Sequence, residues 1–161
     1  MEHFLQLLEQ TALATFIRES SSLLAFPTVL FLHTLGLSIL VGINGVVAFR
    51  VLGVGSSIPL KPLTRLFPFM WIGFVLTVIS GLGLAIAAAT TRLLNPILLV
   101  KLVMVIAATI IMRRMETKIF RNPGANPEAG EGKGMAAALL VLWLFVTTAG
   151  RLIAYSATIF G

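Results

Sequence analysis

The sequence predicts an all-α membrane protein: an antiparallel bundle of four transmembrane helices, preceded by an N-terminal amphipathic helix in the membrane interface. Three observations predict it. The 161 residues are 58% hydrophobic and 11% charged, with a mean hydropathy of +1.01, whereas a soluble domain carries roughly 25% charged residues. Four apolar runs are each long enough to cross ~30 Å of hydrocarbon at about 1.5 Å per residue. Basic residues gather in alternate connections between those runs, as they do in multi-pass proteins.

Residues 1–20 differ from the rest. Phe4, Leu5, Leu8, Ala12, Phe16 and Ile17 recur at three- and four-residue intervals among Glu2, Glu9, Arg18 and Glu19. That spacing puts the apolar groups on one helical face and predicts an interfacial helix. Acidic residues and the lack of a basic leading region argue against a signal peptide. The first span covers residues 23–49 and is closed by Arg50; the second covers 66–89 and is closed by Arg92. The third covers 96–112, closed by Arg113 and Arg114, and the fourth covers 135–160. Pro96 suits a first helical turn, where its missing N–H costs nothing, and Asn95 before it is a capping residue. Pro59, Pro62 and Pro68 punctuate the first connection and the start of the second span. Residues 121–134, rich in Pro and Gly, read as a flexible loop.

Orientation follows from the basic residues. Arg50, Lys61, Arg65, Arg113, Arg114, Lys118, Arg121 and Lys133 belong to one side; Arg18 and Arg92 belong to the other. Eight against two predicts that both connections face the cytoplasm and both termini lie outside, in a bacterial inner membrane. The net charge of +6 therefore sits at helix ends, where it sets topology, and does not point to nucleic acid. The chain has no Cys, which excludes disulfides, thiolate metal sites and Cys nucleophiles.

Ionisable residues inside a membrane are costly and are candidates for function. Here they are His33, Lys101 and Arg151, joined by the phenol of Tyr155. His33 stands ten residues into the first span, ~15 Å from its outer end. Lys101 is one turn into the third span. Arg151 and Tyr155 share a face of the fourth, being four residues apart. All four fall between the outer interface and mid-membrane, where they predict a cationic, aromatic-edged pocket. There is no Asp, and the six Glu read as lying outside the spans, so the buried cations are expected to lack an acid in their own chain. A homo-oligomer or a larger membrane complex answers that lack. Haem b fits the set: His33 as iron ligand, Lys101 and Arg151 for the propionates. A quinone headgroup and a bound phospholipid are the other ligands this chemistry accepts.

Each residue also has a plainer use. Lys101 can snorkel to the interface, His33 can hydrogen-bond a neighbouring helix, and Tyr155 can sit in an interfacial belt. Trp71 and Trp143 read as packing or belt residues, and Met104 and Met112 as core filling. Gly36, Gly42, Gly45, Gly73, Gly81 and Gly83 read as sites of close helix approach.

The stretches FPTVLFLHTLGLSILVGINGVVAFRVLG, LNPILLVKLVMV and WLFVTTAGRLIAY resemble a family of small uncharacterised bacterial four-helix inner-membrane proteins. Its hallmarks fall here on Pro27, His33, Gly36, Arg50, Asn95, Pro96, Lys101, Trp143, Gly150, Arg151 and Tyr155, covering nearly the whole chain. The resemblance supports the four-span topology and adds Asn95 to the candidate binding residues. Where that family has acidic residues near the His and near the end of the first span, this chain has Leu30 and Ala48, so an acid-assisted His is not expected. More distantly, the first helix is similar to the CopD copper-resistance group, which implies a metal-handling alternative. Against a redox subunit stands a structural or assembly subunit that binds lipid or a partner protein.

Overall fold

A computed structural model of the chain describes residues 2–19, 25–93, 95–122 and 130–159, leaving aside the side chains of residues 2, 130–131 and 154–159. The described residues are helical throughout, with no strand. Two short helices, α1 (Glu2–Glu9) and α2 (Ala12–Glu19), precede α3 (Phe26–Val51). A single turn, α4 (Leu60–Leu63), and a 3-10 turn lead into α5 (Phe67–Ile86). The short α6 (Ala89–Arg92) joins it to α7 (Pro96–Met115), and α8 (Gly130–Ile159) completes the bundle. Four helices are long and apolar enough to cross a membrane, over Phe26–Val51, Leu60–Ile86, Pro96–Phe120 and Gly132–Ile153. This is an all-α membrane bundle.

The sequence explains the placement of each span. Pro27, Pro68 and Pro96 all occupy first-turn positions, where no backbone bond is lost. Asn95 caps α7: its side-chain oxygen accepts from the Ile97 amide at 2.9 Å. α3 ends on Gly53, whose φ of +100° is a conformation only glycine takes without strain. Arg50, in the last turn of α3, is 8% exposed and folds back on that turn. Its guanidinium donates to the Ile58 and Ser56 carbonyls at 2.6 and 3.0 Å.

The helices carry apolar residues all round, and many point outward: Phe31 and Phe49 on α3, Ile72 and Ile79 on α5, Val103 on α7, Leu144 on α8. In lipid such a surface costs nothing. The hydroxyls on the spans are satisfied within their own helix, as with Thr77 to the Gly73 carbonyl at 2.8 Å and Thr109 to Val105 at 2.7 Å. Around the bundle, α3 packs on α5, α3 on α8, and α8 on α7, while α5 and α7 make little backbone approach among the described residues. The α3–α5 seam is the tightest. A Cβ on Gly36 would stand 2.9 Å from the Gly73 carbonyl oxygen, and one on Gly73 3.0 Å from that of Gly36.

The largest fully buried side chains, among them Leu40, Met70, Met112, Met115 and Leu139, all lie in the half of the bundle nearest the α3–α4 and α7–α8 connections. That half is called here the basic end, and the opposite one, beneath the N-terminal helices, the terminal end. Trp143 and Met112 are core residues, 3% and 1% exposed, and Met104 packs against that core, as expected for packing residues. Gly42 and Gly45 differ from Gly36: nothing lies within 4 Å of a Cβ added to either. They make no close approach among the described residues.

The N-terminal segment is two helices rather than one. The break falls at Thr11, whose hydroxyl accepts from the Ala14 amide at 3.3 Å and so begins a new helix. Both helices lie over the terminal end, α1 against α6 and α2 against α3 and α5. Glu9 fastens them, accepting from the Thr90 amide and hydroxyl at 2.8 and 2.7 Å. Those bonds, Thr90's hydroxyl first, hold the Glu9 carboxyl below its ordinary pKa. Arg92 donates to the Leu84 carbonyl at 2.8 Å, closing the C-terminus of α5.

Candidate functional site

Two polar centres stand in the bundle. The first is the one expected from the sequence. His33 is half-buried on α3 and turned toward α5. Its Nδ1 lies 3.1 Å from the Thr77 carbonyl oxygen and 3.2 Å from Ser80 Oγ. A carbonyl only accepts, so Nδ1 carries the proton and donates. Ser80 spends its own hydrogen on the Leu76 carbonyl at 2.6 Å, leaving a lone pair for the same N–H. In the neutral ring, Nε2 then keeps its lone pair, and no described group bonds to it. Gly81 makes room for the ring: a Cβ there would meet His33 Cε1 at 3.0 Å.

Lys101 is half-buried on α7. Its ammonium rests on α8, 3.1 Å from where a Cβ on Gly150 would stand. Glycine is therefore the residue that admits each polar group, Gly81 for His33 and Gly150 for Lys101. Arg151, next along α8, is exposed. Asn95 is at the first turn of α7, occupied in capping it. The side chain of Tyr155 lies outside the described residues. The structure thus places His33 against α5 and Lys101 against α8, both in the terminal half, and leaves Arg151 exposed beside Gly150.

The second centre corrects the expectation that every Glu lies outside the spans. Helix α7 does not stop at Met112. It runs to Met115 and then continues as a π turn over Glu116–Phe120. Glu116 is 1% exposed. One carboxylate oxygen accepts from Trp71 Nε1 at 3.2 Å and from Arg113 Nη1 at 3.1 Å. The other accepts from Arg121 Nε and Nη2 at 3.1 and 2.6 Å. The wide turn, closed by the Arg121 amide on the Glu116 carbonyl at 3.0 Å, brings Arg121 back beside the carboxylate. Arg113 also lies over the Trp71 ring, 5.5 Å from its centroid, a cation–π arrangement. Phe67 and Phe120 meet edge to face at 5.2 Å, so α5 and the end of α7 are joined here.

Sequence reasoning also passed over Asn44, which is not ionisable. It is 1% exposed, and its amide donates to the Leu40 carbonyl at 2.7 Å and to Met112 Sδ at 3.5 Å. Its Oδ1 and the Nε1 of Trp143 are buried without a hydrogen-bond partner among the described residues.

Fold and site together define a small multi-pass membrane protein with a histidine–lysine pair in one half and a paired carboxylate in the other. Comparison of the chain with protein-family models, curated proteins and solved structures gives no match.

Proposed function

We propose that this chain is an inner-membrane subunit that holds haem b at His33 for one-electron transfer, with both termini on the periplasmic side. The orientation of His33 carries the reading. Its Nδ1–H is committed to Thr77 and Ser80, which is how a ligating histidine is usually fixed by a backbone carbonyl behind it. Nε2, with its lone pair unused, would be the atom that holds the iron. The cations of Lys101 and Arg151 suit the two propionates. A quinone fits this tautomer less well, since His33 then offers its oxygens no donor and leaves that part to Lys101 and Arg151. Among the described residues no three of His, Cys, Asp and Glu come together, so a metal site of protein ligands alone, as the CopD likeness implies, has less support.

The absorption spectrum of protein purified from haem-supplied cells tests the reading. A Soret band with α and β bands that sharpen on dithionite is expected, and Lys101→Ala is expected to weaken haem retention without abolishing the bands. A folded, colourless preparation contradicts haem. It favours a structural or assembly subunit, for which the observation is that both partners of His33 lie on α5, making the ring a brace between two helices.

Orientation has its own test. The chain has no Cys, so single-cysteine variants report cleanly. Ser57→Cys and Ala125→Cys are expected to resist a membrane-impermeant thiol reagent in intact cells, and Gln10→Cys to react. Labelling of the first two would reverse the assignment.

A further inference from the structure

The second polar centre opens onto a cavity of about 450 Å³ at the basic end. Phe67 and Pro68 of α5 form one wall, Trp71 lies between, and Arg113, Glu116 and Arg121 form the other. We infer that this cavity is a binding site for a phosphate-bearing anion, the headgroup of an anionic phospholipid or free phosphate, gripped between Arg113 and Arg121.

Two guanidiniums converge on one carboxylate, so the centre keeps a net positive charge. Each guanidinium has five N–H donors in a rigid fork. Glu116 uses one from Arg113 and two from Arg121. The rest have no partner among the described residues, and the two side chains are 59% and 67% exposed. Glu116, at 1% exposure, is on the inner side of both. It acts as a buried anchor that holds two arginines at fixed spacing while their remaining donors face outward. Planar forks at a fixed spacing suit the oxygens of a phosphate group. Trp71 restrains Arg113 from the other side through its ring, which lowers the ordering cost of binding.

The cavity's size and walls fit a headgroup. Its volume is within the ~300–1,000 Å³ of typical ligand sites. The Phe67–Pro68 wall leads along α5 to Phe69 and Ile72, both exposed on the lipid-facing surface, which offers a path for acyl chains. Basic pockets at membrane-protein ends are a recurrent place for anionic headgroups. The inference stands on residues remote from His33 and does not depend on what His33 binds.

Native mass spectrometry of the full chain in detergent, titrated with dioleoylphosphatidylglycerol, dioleoylphosphatidylcholine or inorganic phosphate, tests it. Wild type is expected to retain phosphatidylglycerol over phosphatidylcholine. Arg113→Gln and Arg121→Gln are each expected to weaken that binding about fivefold, the equivalent of one cation near an anionic headgroup. Arg114→Gln, one residue away but outside the cavity, is expected to change it little. Displacement of the lipid by inorganic phosphate assigns the site to phosphate in general; no displacement assigns it to lipid. Wild type that holds both lipids equally and ignores phosphate overturns the inference without any variant. So does a folded Arg113→Gln/Arg121→Gln double variant with wild-type selectivity.

Discussion

The basic and terminal halves of this bundle solve the same problem in opposite ways. Each must keep charge within or beside hydrocarbon. In the basic half, a dense core surrounds a carboxylate whose two oxygens accept from Trp71, Arg113 and Arg121. In the terminal half, a histidine and a lysine have no carboxylate partner among the described residues, and each is given space by a glycine, Gly81 for His33 and Gly150 for Lys101. In the first centre the carboxylate is fully paired within the chain, while its arginines keep donors that face outward. The second has a histidine nitrogen and an ammonium still able to bind. What differs is local winding: the π turn at the end of α7 carries an acid and an arginine to one point, and the described residues of the terminal half have no π turn.

The comparison is broken most strongly at Glu116. Glu116→Ala removes the acceptor of Trp71 and of both arginines and opens a cavity in a packed region. Loss of a buried, paired carboxylate costs roughly 3–5 kcal/mol. Because Arg113 and Arg121 are mostly exposed and can turn to water, the expected loss is at the lower limit, about 3 kcal/mol. Denaturant unfolding in detergent reads it. An effect below about 1 kcal/mol means the cluster is a surface ion pair despite its burial.

A smaller effect is expected at the helix seams, where two glycines that look alike in sequence should behave differently. Gly36→Ala puts a methyl 2.9 Å from the Gly73 carbonyl and forces α3 from α5, at a cost of about 1–3 kcal/mol. Gly42→Ala meets nothing within 4 Å and is expected to be neutral or slightly stabilising. Equal losses at both positions would show that a second molecule packs on Gly42. His33→Ala is expected to cost less, about 0.6–1.7 kcal/mol, the range for an interhelical hydrogen bond in lipid.

The smallest expected effect is pH-dependent. Glu9 has its carboxyl held below the ordinary value of 4.5 by Thr90. A lowered folded pKa means the clamp stabilises fully above 4.5, weakens as the pH falls below that value, and is lost once the pH passes beneath the folded pKa. Amide exchange in α1 and α2 should therefore quicken in acid while α3–α8 stay protected. Glu9→Gln should quicken it at neutral pH and flatten the dependence.

These contrasts also mark what the sequence could say. The spans were legible because long, all-round apolar runs have one physical home, and their prolines all fell on first turns. The cap by Asn95 and the core roles of Trp143 and Met112 were legible too. His33 and Lys101 were legible as polar groups within spans, but not the glycines that admit them, since Gly81 and Gly42 look the same until their neighbours are known. Glu116 was missed because the Arg113–Arg114 pair read as the end of the span. A signal was present: Glu116 follows Arg113 by three residues and precedes Arg121 by five, the spacing that a wide final turn brings together. Thr11 carried a similar signal, a capping residue in the middle of an otherwise continuous amphipathic pattern.

A matched pair of variants, His33→Ala and Glu116→Ala, each measured for haem absorbance and for unfolding free energy, tests the division of the molecule most directly. The account predicts that His33→Ala abolishes the Soret band while stability stays within about 2 kcal/mol of wild type. It predicts that Glu116→Ala keeps the band and loses about 3 kcal/mol. A His33→Ala protein that retains full haem absorbance, or a Glu116→Ala protein as stable as wild type, contradicts it.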